Sequence, residues 1–170
     1  SGLAVINPVN GNIDYQHRWR SRIHASVNAA APLIVANKIF ITSSYNTGAL
    51  VMKSTKDGYK KIWSNDKSLS SQYASVMHKD GFLYGTHGRA DIPPIPALRC
   101  VELATGKIKW SENRFGDCQM ILCGDRLAAL MEDGELVLGQ VSPNGWKEIS
   151  RAQVVGSNAR SQPALADGRL

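Results

Sequence analysis

Ala97-Leu-Arg-Cys-Val-Glu-Leu-Ala-Thr-Gly-Lys-Ile-Lys-Trp110 is an apolar run, a Thr105-Gly106 turn and a second run that closes on an aromatic residue. Two short strands joined by a residue that accepts positive φ form a β-hairpin. The same device surrounds Asn10-Gly11, Asp57-Gly58 and Asn144-Gly145. A hairpin that recurs on this scale marks a repeat, and the repeat has to be read before any single segment is interpreted.

Working outward, Pro32 to Ala36 and Ile39 to Thr42 flank a turn at Asn37-Lys38, and Gly48 to Met52 and Tyr59 to Trp63 flank Asp57-Gly58. Together they make a unit of four short strands over residues 26–66. A second unit, 72–113, has turns at Asp80-Gly81 and Thr105-Gly106. A third, 117–155, has them at Gly124-Asp125 and Asn144-Gly145, with Asp133-Gly134 between its middle strands. Residues 3–25 read as the second half of such a unit and 160–170 as the start of another. Measured between Lys38, Gly81, Asp125 and Gly168, the period is 43, 44 and 43 residues. No window shows sustained helical apolar spacing with a cap.

A period of this length with four strands per unit predicts an all-β chain, a β-propeller of four-stranded antiparallel blades. Leu33 to Val35, Ile39 to Ile41, Phe82 to Tyr84 and Leu136 to Leu138 are apolar on both pleat faces, which suits sheets sandwiched between sheets. The 170 residues hold about four blades, and a parent of seven or eight is expected. Alone, such a segment would expose sheet edges and self-associate through them.

Composition narrows the partners. With 43% hydrophobic and 20% charged residues and no apolar run near membrane-spanning length, the pattern is that of a folded globular chain without a transmembrane helix. The net charge of +6 is spread singly along the chain rather than along one stripe, which argues against nucleic acid. Ser1-Gly2-Leu3 has none of the regions of a signal peptide, so the natural N-terminus is expected to lie upstream. Cys100, Cys118 and Cys123 have no metal or haem spacing and read as small buried hydrophobes. Cys118 and Cys123, five apart on one strand, face opposite sides and do not pair.

The hairpin motif carries a resemblance. Cys100-Val-Glu102-Leu-Ala-Thr105-Gly106-Lys-Ile-Lys-Trp110 is similar to the docking motif Ala-x-Asp-x-x-Thr-Gly-x-x-x-Trp of the pyrroloquinoline-quinone (PQQ) type repeat β-propellers. That group includes quinoprotein dehydrogenases and the BamB-like outer-membrane assembly lipoproteins, and residues 112–170 look most like its bacterial members. Asn7 to Tyr15 is a weaker copy with Tyr for Trp, Lys53 to Trp63 adds a residue, and Ser142 to Ile149 ends on Ile149. The resemblance implies structural docking roles for Tyr15, Trp63, Thr105, Gly106 and Trp110. It also implies a periplasmic or exported location. A large flat ring suits an interblade seam on physical grounds as well.

Two functions compete. A PQQ-dependent oxidoreductase acting on an alcohol or sugar would need Ca2+ held by carboxylate and amide oxygens, a catalytic carboxylate beside it, and cations for the quinone. The sequence shows no such set and no adjacent Cys pair, and its acids fall mostly in turns (Asp57, Asp80, Asp125, Asp133, Asp167). No catalytic residue, metal site or cofactor is therefore assigned. The other function, a non-catalytic scaffold or binding module for a protein or small molecule at a propeller face, is preferred. From first to second turn the three units measure 20, 25 and 20 residues, and the surplus lies within Thr86 to Pro96. His87, Arg89 and Asp91 are its candidate ligand contacts, read as residues of an exposed loop. His17, His24 and His78 have no metal-like spacing.

Overall fold

The computed structural model describes residues 2–169; Ser1 and Leu170, the last residue of the expected final half-blade, lie outside the described residues. Among these are β-strands and no helix, hence none long and apolar enough to cross a membrane. Strands β1 (Gly2–Ile6) and β2 (Ile13–Arg18) form a two-stranded sheet. Strands β3 (Leu33–Val35), β4 (Lys38–Ser43), β5 (Gly48–Thr55) and β6 (Gly58–Asn65) make the first four-stranded sheet. The second holds β7 (Met77–Lys79), β8 (Phe82–His87), β9 (Ala97–Glu102) and β10 (Ile108–Glu112), and the third β11 (Cys118–Cys123), β12 (Arg126–Met131), β13 (Glu135–Ser142) and β14 (Gly145–Gln153). Each is an antiparallel meander in chain order.

Alternation along each strand sends neighbours to opposite faces, and the core divides accordingly into seams. In the first four-stranded sheet Phe40 and Val51 meet Leu83 and Val101 of the second. From its other face Ile39, Ile41, Leu50 and Met52 meet Leu3, Val5 and Tyr15 of the two-stranded sheet. The second and third sheets close over Tyr84, Leu98, Met120, Leu127 and Val137. Burying both faces against neighbours at ~25 cal/mol per Å2 of apolar surface is the main force that stacks the sheets.

Not every apolar strand position is covered. Ile34 pairs with Ile39 and shares its face, yet is 71% exposed, because only β1 and β2 cover that face and they stop short of β3. Leu138 is 38% exposed on the outward face of the third sheet, where no further sheet stands among the described residues. Cys123 is exposed at the end of β11, a correction to the expectation of three buried thiols, while Cys100 and Cys118 are buried.

Turn register also differs from the sequence reading at several places. Val35 pairs with Lys38, Thr55 with Gly58 and Ser142 with Gly145, so the central residues are Ala36-Asn37, Lys56-Asp57 and Pro143-Asn144. In the last two the glycine is the fourth residue of a type I-like turn, and Pro143 fits the second position. At Asp80-Gly81 both central residues have positive φ (49° and 83°), as a two-residue primed hairpin requires.

Candidate functional site

The aromatic residues that close the repeats sit in the seams, each reaching forward into the next sheet. Trp63 on β6 donates its indole N–H to the Leu103 carbonyl at 2.8 Å, and Trp110 on β10 donates to the Ser142 carbonyl at 2.8 Å. Trp63 lies so close over Gly106 (φ 74°) that a Cβ there would stand 2.9 Å from the ring. The hydroxyl of Thr105 donates to the Glu102 carboxylate, which ties the turn to its own strand. Tyr15 makes a different contact: its ring lies tilted by 34° against Tyr59 at 4.5 Å, and its hydroxyl donates to the Met52 thioether and lies 3.4 Å from His17 Nδ1. Trp146, which the motif did not single out, packs against Gly139, where a Cβ would come within 2.1 Å of its ring, and meets Phe115 edge-on.

The β8–β9 connection is the longest link between middle strands in the three four-stranded sheets. This nine-residue loop, 88–96, links strands that need only four residues in the first sheet (44–47) and three in the third (132–134). Its Arg89 is fully committed: the guanidinium donates to Asp91, with Nε to Oδ1 at 2.9 Å, and lies 4.3 Å over the Tyr45 ring. Gln72, from the connection between the first two sheets, donates to Asp91 at 3.2 Å and to the Tyr45 hydroxyl at 2.9 Å, and accepts the Ala90 N–H at 2.9 Å. Three separate chain segments therefore lock the loop root across one seam.

His87 is not with them. It is the last residue of β8, partly buried, and its Nδ1 accepts the Ser70 N–H at 3.0 Å, which corrects its expected place on an exposed loop. Burial, assisted by the Arg99 guanidinium and opposed by Asp66, pushes its pKa down to about 4. The imidazole is thus neutral at pH 7, with its proton assigned to Nε2 by that hydrogen bond. Ser70, Asp66 and His87 are the side chains of a hydrolytic triad, but the wiring is different: the Ser70 hydroxyl donates to Asp66 at 2.6 Å, so the histidine is not placed to take its proton.

The least satisfied group near this end is Asp117, just before β11. It is only 5% exposed; Oδ1 accepts from the Thr86 hydroxyl and the Cys118 N–H, both at 3.0 Å, while Oδ2 is buried with no partner. Burial pushes its pKa up to about 6, opposed by those hydrogen bonds and by Arg160 and reinforced by Glu132. The hydroxyl of Tyr73 is likewise buried and unpartnered, and burial, then Asp117, raise its pKa. Arg160 sits over the Tyr73 ring at 5.6 Å and is paired with Glu132. Neither Asp117 nor Tyr73 could be singled out from sequence, because their burial is made by segments two or three strands away.

Ca2+ and a quinone would need several converging oxygen ligands and uncommitted cations. Among the described residues no three His, Cys, Asp or Glu side chains converge on a metal position, and Arg89 and Arg160 are each spent on a carboxylate. The described residues do not fit that pair.

No protein-family model matches this sequence, and no curated protein matches it. Solved structures do. BamB from Moraxella catarrhalis superposes with a TM-score of 0.56 at 16% identity, over 75% of this chain and 35% of that one. A europium-containing methanol dehydrogenase gives 0.54 at 16% identity, over 89% of this chain and 29% of that one. The chain thus spans about a third of either relative. The likeness shows the fold: the stacked four-stranded sheets are those of part of a β-propeller.

Proposed function

We propose that the chain is a non-catalytic propeller module that binds a protein or small-molecule ligand at the end of the stack carrying the 88–96 loop. The observation that carries this reading is the locking of that loop by Arg89, Asp91, Gln72 and Tyr45, which holds an extended connection in one arrangement. A long loop on a rigid scaffold is where binding residues concentrate, and a preorganised loop loses little entropy when it binds. Arg89 and Asp91 act here through their mutual pair, as the frame of the surface, and Ile92 and Ile95, both 47% exposed, form its apolar crest.

A PQQ-dependent oxidoreductase would turn over with quinone and metal added, and the non-catalytic module would not. Mixed with PQQ and Ca2+, the protein should give no quinone-dependent reduction of an artificial electron acceptor over a panel of alcohols and aldose sugars. Turnover that requires both additives overturns the proposal.

A further inference from the structure

The hairpin-turn end of the first four-stranded sheet gathers charge that the sequence spreads out. It lies away from the 88–96 loop, since β4 runs from it toward Tyr45, the ring that Arg89 covers. Lys38, Lys53 and Lys60 are 15 and 7 residues apart, yet Lys38 pairs with Lys53 and Lys53 with Lys60. Directly opposite residues of antiparallel strands share a face, so three lysines stand in a row across β4, β5 and β6, about 10 Å long at two strand spacings. Lys53 and Lys60 are exposed and Lys38 is half-buried. Among the described residues no carboxylate lies within ion-pair distance of any of the three. His78 shares its face of the second sheet with Leu83, in the same seam, and its Nε2 accepts the Gly81 N–H at 3.1 Å. Burial, opposed by Asp80 and assisted by Lys38, holds the His78 pKa down, so this neighbour brings the row no anion.

The corresponding rows of the other two four-stranded sheets each include an acid. Lys38, Phe82 and Arg126 all open the second strand of their sheet. In the second sheet the row runs Phe82, Glu102, Lys107, with the acid in the middle. In the third it runs Arg126, Gln140, Lys147, and Asp125 lies 3.7 Å from Arg126 and accepts from the Gln140 amide. Of the three, the first sheet alone opposes like charges twice, an arrangement that costs stability until an anion is supplied. We propose that the Lys38, Lys53, Lys60 row is a docking surface for an acidic protein segment, whose carboxylates take the place that Glu102 and Asp125 hold in the following sheets. It is a second surface, independent of any ligand at the 88–96 loop. A nucleic acid or an anionic membrane engages a longer run of cations than three, whereas a short stretch of Asp or Glu matches this one.

Calorimetric titration of the full chain at pH 7.5 and low ionic strength with end-blocked hexaglutamate and hexaglutamine tests this. Hexaglutamate should bind saturably and hexaglutamine should not, a comparison that needs no variant. The triple variant Lys38→Gln, Lys53→Gln, Lys60→Gln should weaken hexaglutamate at least about fivefold, the product of three modest exposed-pair contributions. A second triple variant, Lys67→Gln, Lys109→Gln, Lys147→Gln, removes the same charge elsewhere and should weaken it less than about twofold, because scattered exposed charges contribute little. Lys53→Glu places an acid where the second sheet has Glu102. It should abolish binding and raise the urea midpoint, since two like-charge pairs become opposite-charge pairs. Equal binding of the two peptides overturns the proposal, as do equal losses in the two triple variants, or full affinity or a lowered midpoint in Lys53→Glu. Row-dependent binding of oligothymidylate or of phosphatidylglycerol vesicles that is tighter than that of hexaglutamate assigns the row to phosphate and overturns it too.

Discussion

Asp117 has one oxygen satisfied twice and one satisfied by nothing, and the imbalance has a measurable sign. Its pKa is about 6 in the folded chain against an ordinary 3.8, so the stability it contributes is full below pH 3.8 and is lost as pH rises through 6. His87 runs the other way: held near 4 against 6.5, it lowers stability as pH falls from 6.5 toward 4. Between pH 4 and 6 the two offset each other. Asp117→Asn removes one side of that balance. At pH 8 the variant should be more stable by about 1–2 kcal/mol, the relief of a ~2-unit shift less the cost of a buried amide donor. By pH 4 the advantage should be gone, so urea midpoints at the two pH values decide it. Glu132, Arg160, Tyr73 and Cys118 share this field and are unchanged by the substitution. In the sequence Asp117 is the first residue of an apolar strand run, and nothing in its neighbours separates a buried carboxyl from a solvated one.

Strands and turns were far more legible, because pleat alternation and turn glycines are local signals. The four-strand plan of the repeat is visible in Gly81, Gly106 and the runs around them, whereas the one-residue register differences at Lys56-Asp57 and Pro143-Asn144 are not, since a glycine fits either the third or the fourth turn position. Gly106 also carries a constraint from across the seam. Its turn needs φ 74°, and the Trp63 ring stands where a Cβ would go. Gly106→Ala should therefore cost about 2–3 kcal/mol, roughly 1 for the backbone and the rest for overpacking. In a Trp63→Ala background the same change should cost only about 1 kcal/mol, a coupling of 1 kcal/mol or more. Additive losses in the double-mutant cycle would mean that the ring and the turn do not meet.

At the scale of the whole chain, the period announced the stack, but the order of exposure within it came only from the structure. Ile34 lies bare beside the short two-stranded sheet, and Leu138 and Ile149, 38% and 48% exposed, sit on the last four-stranded one. Apolar faces and open strand edges of this kind promote association. Light scattering coupled to size exclusion should show the 170-residue polypeptide moving to larger species as concentration rises. Leu138→Lys should shift that onset to higher concentration, and a monodisperse monomer across the range would contradict the expectation.

The two indole bonds point the same way along the chain: Trp63 to the carbonyl of Leu103, Trp110 to that of Ser142. The second four-stranded sheet thus offers a socket to the sheet before it and a plug to the sheet after it, and the socket is a backbone atom that every sequence supplies. A gene segment encoding one such unit can be duplicated or deleted in frame, and the remaining plugs still meet sockets. Change in blade number is then a step that sequence drift elsewhere in the sheet does not obstruct.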